Sequence, residues 1–259
     1  MSDRRDRNTE PLEVVYGLHP VLELLDGRVR EVDRIFVAKE RVRGLGRALR
    51  VAREAGIPVS HLPREVLARK IGRRAVHQGI AAQVAPIAYA DVEELCRNAA
   101  SVPDASLVLV DQVVDPRNLG AMVRTAAAAG AEGMILGGEG TVGLTPAVAK
   151  TSAGALERIP VARDQRPAQR LAILKKAGFR VIALEPRALS RWTDVELTGR
   201  VIFVAGGEGQ GLRRSVREAC DDSISIPLER GVESLNVAVA LGVLLFESVR
   251  QKNIAGRQP

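Results

Sequence analysis

No run of about 18 uninterrupted apolar residues occurs in the 259-residue chain, so a membrane-spanning helix is not expected. The segment Met1 to Asn8 is charged and lacks the apolar core of a secretory leader. It reads as part of a disordered tail covering residues 1–10. There are only two cysteines, Cys96 and Cys220, far apart and with neither a C-x-x-C pair nor a histidine at ligand spacing. That argues against a disulfide framework and against a metal site, and it suits a reducing cytoplasm. Aromatic residues make up 3%, too few for a platform that stacks successive bases of a single strand. No Gly-Lys-Ser/Thr phosphate loop is present. His19, His61 and His77 have no serine or cysteine nucleophile signature near them and read as structural or surface residues, and Trp192 reads as packing.

What the chain does have is apolar content of 46%, enough for two modest cores, and a formal charge of +7 carried mostly by arginine. The planar arginine fork suits phosphates and guanine edges, which makes nucleic acid the first candidate partner. On charge alone, solvated helix faces account for the same excess equally well.

The hydrophobic pattern divides the sequence. In residues 11–86 it predicts a helix over His19–Leu25, a strand over Val32–Val37, a helix over Leu45–Ala55, a strand over Ile57–His61, a short helix over Arg64–Ile71 and a strand over Gly79–Val84. Residues 87–104 read as a linker with one helical stretch, Val92–Ala99. Residues 105–252 form a second α/β series. Its strands fall at 106–110, Met134–Leu136, Arg180–Leu184, 200–205 and 223–226. Its helices fall at Leu119–Ala129, Pro146–Leu156, Ala168–Ala177, Arg213–Ala219 and Leu235–Arg250. Alternation of this kind predicts an α/β fold with a mostly parallel sheet covered by helices on both faces.

Three junctions carry the chemistry: Asp111 to Arg124, Gly206 to Gly211 and Glu229 to Asn236. Each follows a β-branched run, and ligands of open α/β sheets collect at the carboxyl ends of strands, so the three are expected to share one site. Asn118 reads as a helix N-cap and Gly120 as a close-packing position. Arg124 lies on the same helix among Met122 and Ala126 to Ala129, where a packed element could project it into a cleft. The loop Gly206-Gly-Glu-Gly-Gln-Gly211 holds a carboxylate, Glu208, in place of a lysine, so it suits a ligand read by backbone, such as an adenosine or amino-acid moiety, better than a phosphate. Ser234 and Asn236 open the last helix, either as caps or as part of a polar site at its N-terminus.

Together, Asn118 to Arg124, Gly206 to Gly211 with Ile226-Pro227, and Ser234-Leu235-Asn236 resemble the three motifs of the SpoU (TrmH-type) class of SPOUT RNA ribose 2'-O-methyltransferases. The likeness extends from residue 106 to 250. The first unit, with Tyr16-Gly-Leu-His-Pro20 and Val76-His-Gln-Gly-Ile80, is similar to the L30e-like substrate-binding domain of the branch that methylates a guanosine in 23S ribosomal RNA. The resemblance implies a deep trefoil knot in the second domain, S-adenosyl-L-methionine held largely by backbone at Gly206, Ile226 and Leu235, ribosomal RNA as substrate, and a homodimer to which the last helix contributes. It implies catalytic roles for Arg124, Asn118, Glu208, Ser234 and Asn236.

Two other classes are open at this stage. A dinucleotide enzyme would use a G-x-G-x-x-G loop, and that spacing occurs at Gly138-Glu-Gly-Thr-Val-Gly143 with Asp164 beyond it. The loop follows the second strand of its domain rather than the first, and Pro160 is expected to interrupt any strand presenting Asp164, so the match reads as chance. An RNA-binding protein without catalysis would tolerate loss of Arg124 or Asn236, and both are present. A transfer-RNA target is the alternative to ribosomal RNA.

Overall fold

The computed structural model describes residues 13–27, 32–40, 44–72, 76–85 and 88–256. The tail expected at residues 1–10 lies outside them. The chain divides into two compact units, 1–88 and 89–259.

The first unit contains β1 (Glu13–Tyr16), α1 (Leu18–Gly27), β2 (Val32–Ala38), α2 (Gly46–Glu54), β3 (Val59–Leu62), α3 (Arg64–Ile71) and β4 (Ile80–Val84). Its sheet runs β1-β4-β2-β3, with β4 antiparallel to both neighbours and β3 parallel to β2. β1 was not anticipated, because four residues are too short to show a period. One core, with Val21, Leu24, Ile35, Ala48, Ala52 and Ile80, lies between the sheet and α1–α2. The two motifs of this unit meet. Gly17 donates its N–H to the Ile80 carbonyl (3.1 Å), and Leu18 N–H donates to Gln78 Oε1 (2.9 Å). His77 is buried, and its Nδ1 accepts the Gly79 N–H (3.1 Å), a structural role for this histidine.

The second unit contains α4 (Val92–Ala100), β5 (Ser106–Asp111), α5 (Pro116–Ala128), β6 (Gly133–Gly137), α6 (Pro146–Thr151), β7 (Val161–Asp164), α7 (Pro167–Lys176), β8 (Arg180–Leu184), β9 (Ser190–Arg191), β10 (Val201–Gly206), α8 (Arg214–Glu218), β11 (Asp222–Ser225) and α9 (Val237–Ala255). Every strand pairing in its sheet is parallel, in the order β7-β6-β5-β10-β8-β11-β9. All six residues of β5 are buried, as befits a central strand covered on both faces. The segment expected as a linker is part of this core. Asp91 caps α4 by accepting the Glu94 N–H (2.7 Å), and Leu95, Cys96 and Ala99 pack with Leu107, Leu109 and Ile135.

Two further differences have local causes. The helix expected over Pro146–Leu156 breaks after Thr151, where Ala153 (φ 51°) and Gly154 (φ 89°) turn left-handed before a short 3-10 turn at Ala155–Glu157. Pro160 does not prevent a strand. It sits just before β7, where its missing N–H costs nothing, and its carbonyl accepts the Met134 N–H (2.9 Å). The glycine-rich loop of the dinucleotide alternative is filled by Arg163, whose Nη2 donates to the Gly138 and Thr141 carbonyls (3.0 Å each). Asp164 is engaged by Arg170 at 2.6 Å. Neither is left to read a ribose or a pyrophosphate.

Both thiols are free. Burial, followed by the nearby negative charges of Glu185 and Asp221, pushes the Cys220 thiol up to about 12, and burial raises Cys96 as well. Thiolate is the reactive form. Iodoacetamide at neutral pH is therefore expected to leave both cysteines unmodified in the native protein and to label both in denaturant, as read by intact mass.

Candidate active site

Because the sheet is parallel, the junctions after β5, β10 and β11 emerge at the same edge. The loops after β10 and β11 border a cavity of about 510 Å³, lined by Gly206 through Gly211, Ile226, Leu228, Ser234, Leu235 and Val237. The junction after β8 completes it with Leu184, Glu185, Pro186 and Arg187. Sequence reading missed this fourth junction, although Glu185 directly follows a recognised strand. It also missed Arg217, another lining residue, which is ion-paired with Glu185.

The β10 loop lies very close to the β5 loop. A Cβ on Gly207 would stand 1.9 Å from the Gln112 carbonyl oxygen, and within the β10 loop itself one on Gly206 would stand 2.5 Å from the Gly211 carbonyl carbon. Gln112 takes a left-handed φ of 57°, unusual for a residue with a side chain, at the same crossing. Asp111, fully buried at the end of β5, ties the two loops together: it accepts the Arg213 N–H (3.0 Å) and Nε–H (2.9 Å) and is ion-paired with the same guanidinium.

Asn118 is not the N-cap of α5. Asp115 takes that position, accepting the Arg117 N–H (2.8 Å), and Pro116 opens the first turn. The Arg117 side chain closes on the same carboxylate and holds it below the usual range for aspartate. The Asn118 side chain is thereby free to donate from Nδ2 to Glu208 Oε1 (3.0 Å). Asn236 does cap α9: its Oδ1 accepts the Ala238 (3.0 Å) and Val239 (3.4 Å) N–H groups. Its Nδ2 reaches Asn118 Oδ1 (2.8 Å) and Glu208 Oε1 (2.9 Å). All three junctions thus meet in one Asn118–Glu208–Asn236 cluster, of which Glu208 lines the cavity.

Arg124 is not part of it. It is exposed on α5 and does not line the cavity. Six positions on an α-helix amount to about 9 Å along the axis and about 120° around it, so Asn118 and Arg124 cannot share a face. The expectation that Arg124 projects into the cleft is not met. Gly120 is packed as expected, since a Cβ there would stand 1.9 Å from Thr151 Oγ1 on α6.

The cavity suits S-adenosyl-L-methionine. Its volume is that of a small-molecule site, Ile226, Leu228 and Leu235 supply apolar wall, and the glycine loop brings main chain against it. Residues 105–246 match the SpoU rRNA Methylase family, and residues 14–90 match the domain described as RNA 2'-O ribose methyltransferase substrate binding. The chain belongs to the SpoU family and is an S-adenosyl-L-methionine-dependent RNA methyltransferase. A Mycobacterium avium protein described as an uncharacterized tRNA/rRNA methyltransferase is 40% identical over 251 residues, covering 96% of this chain and 81% of that one. The AdoMet-bound rRNA methyltransferase of Sinorhizobium meliloti superposes with a TM-score of 0.75 at 25% identity, covering 92% and 87%. The A. aeolicus TrmH/SpoU tRNA modifying enzyme superposes with a TM-score of 0.52 at 26% identity, covering 63% of this chain and 85% of that one. Among the described residues, no helix is long and apolar enough to cross a membrane.

Proposed function

We propose that this protein methylates the 2'-hydroxyl of a guanosine in 23S ribosomal RNA, working as a homodimer in the cytoplasm and without a metal. The observation that carries the reading is the Asn118–Glu208–Asn236 cluster: two amides and a carboxylate from three junctions converge beside a glycine-lined cavity of cofactor size. A merely structural arrangement would not need Asn118, since α5 is already capped by Asp115. Ribosomal rather than transfer RNA is supported by coverage: the rRNA enzyme from S. meliloti matches nearly the whole chain, the tRNA-modifying enzyme from A. aeolicus about three-fifths of it.

Gly206, Ile226 and Leu235 would hold S-adenosyl-L-methionine, which would supply an electrophilic methyl group. The protein's own residues must orient the ribose and oppose charge developing on its oxygen. In this reading Asn118, Glu208, Ser234 and Asn236 position the ribose, and Arg124 stabilises charge on O2' or its neighbouring phosphate.

The dimer explains how Arg124 takes part. α5 and α9 run side by side in the same direction, with Asn118 meeting Asn236 at their starts and Thr125 meeting Gly242 farther along. The outward face of α9 leaves Val239, Phe246 and Ile254 about half exposed, apolar surface that a second copy would cover. A second copy seated there borders the exposed Arg124, whose guanidinium then serves the partner's cavity. The knotted path implied by the motifs is part of the same reading.

Mapping 2'-O-methylation across all RNAs of a strain lacking this gene tests the substrate. Loss of a single guanosine mark in 23S ribosomal RNA is expected, and loss of a transfer-RNA mark with ribosomal RNA unchanged would overturn the assignment. Isothermal titration is expected to show binding of S-adenosyl-L-methionine and none of NAD.

A further inference from the structure

A guanidinium can oppose charge but cannot accept a proton, so Arg124 leaves the proton of the 2'-hydroxyl without a destination. We propose that Glu208 is the general base, its Oε2 atom taking that proton during transfer. The proposal rests on the reading above of the protein as a ribose 2'-O-methyltransferase.

The cluster dictates which oxygen is available. Asn236 spends Oδ1 on the N–H groups that open α9, so its Nδ2 must face Glu208 and Asn118. Asn118 Oδ1 accepts one of those protons, which fixes its own amide with Nδ2 toward Glu208. Flipping either amide would set donor against donor or acceptor against acceptor. Glu208 Oε1 therefore receives two N–H donors, at 3.0 and 2.9 Å. Oε2 has no hydrogen-bond partner among the described residues, and Glu208 is an exposed residue on the cavity's border. One oxygen is anchored and the other is open, the geometry a base needs if it is to meet a hydroxyl in a fixed direction.

The surrounding charges leave that oxygen uncovered. Arg117, next to Asn118 in the chain, is closed on Asp115. Arg213 is engaged by Asp111, and Arg217 by Glu185. Glu185, the other carboxylate lining the cavity, is thus already paired with a cation, whereas Glu208 has no ion pair among the described residues. Ser234 lines the same cavity but is a neutral hydroxyl. In the step itself, O2' forms its bond to the methyl carbon as the carbon–sulfur bond breaks, and the sulfonium sulfur keeps that electron pair. The O2' proton passes to Oε2 and is later lost to water.

The test is single-turnover methyl transfer to ribosomal RNA by the intact protein between about pH 3 and pH 9, with cofactor affinity measured in parallel. Glu208→Gln keeps an acceptor for both asparagines but puts an NH2 where Oε2 stood. Because Glu208 lines the cofactor cavity, the rate is read at saturating S-adenosyl-L-methionine, where it is expected to fall about 10²–10⁴-fold and to lose its decline on the acid side. Glu208→Ala is expected to regain rate on addition of formate, which restores a carboxylate but no tether. Asn118→Ala is expected to slow transfer while keeping the acid limb. A Glu208→Gln protein that binds cofactor normally and keeps both rate and acid limb would overturn the proposal, as would Glu208→Ala unmoved by formate. A parent protein that methylates no RNA would instead overturn the reading beneath it.

Discussion

Arg124→Ala is expected to lower methyl transfer about 10²–10³-fold, the effect of removing a single donor that stabilises charge developing in the transition state. S-adenosyl-L-methionine affinity should hold, because Arg124 does not line the cavity. If the arginine acts across a dimer, inactive chains should rescue one another. Glu208→Ala dismantles the asparagine cluster but retains Arg124, whereas Arg124→Ala retains the cluster. Unfolding and refolding the two together should return about a quarter of the parent rate, since half the dimers are mixed and each mixed dimer holds one complete site. An inactive mixture alongside a refolded, active parent control would place Arg124 with its own chain's cavity and refute the dimeric site. Arg124→Lys keeps a charge but loses the planar fork, so little recovery is expected. A Lys variant whose rate climbs with pH toward that of the parent would show that proton removal, not charge stabilisation, is the role of this position.

Much of this arrangement was legible in the sequence, because strand ends and glycine-rich junctions are local signals. Gly206 to Gly211 follows a buried strand, and Ser234 to Asn236 opens an apolar helix, where the structure has them. Asn118 was read as a cap because cap preference is judged one residue at a time. Only the structure shows that Asp115 and Pro116 start the helix earlier and release Asn118 for a partner ninety positions away. Pro160 was weighed as a strand breaker, whereas what matters is its position one residue before the strand, where no ladder bond is missed. α4 was folded into a linker because two prolines bracket it, although its Leu95, Cys96 and Ala99 stripe belongs to the core. Arg124 was misjudged for a different reason. A helix too apolar to be solvated all round must pack, but periodicity does not say which of its side chains meet the packing and which stay exposed.

Hydrophobic pattern gives no hint of the Asp111–Arg213 link either, and its loss is the second large effect expected. Asp111 is fully buried, and the Arg213 side chain is 29% exposed. Removing one partner of such a pair strands a charge away from water, at a cost of about 3–5 kcal/mol. Arg213→Ala is therefore expected to lower the melting temperature by roughly 6–20 °C in a protein of this size. Because Arg213 closes the loop that begins at Gly206, cofactor affinity should fall as well. Replacing both residues by leucine removes the stranded charge and should recover part of the stability. Recovery stays incomplete because the Arg213 main-chain N–H, which now donates to Asp111, would lose its acceptor. Calorimetry of the two single variants and the double variant separates these contributions. A melting temperature for Arg213→Ala within about 2 °C of the parent would mean that the crossing is held by backbone packing at Gly206 and Gly207 and not by the ion pair.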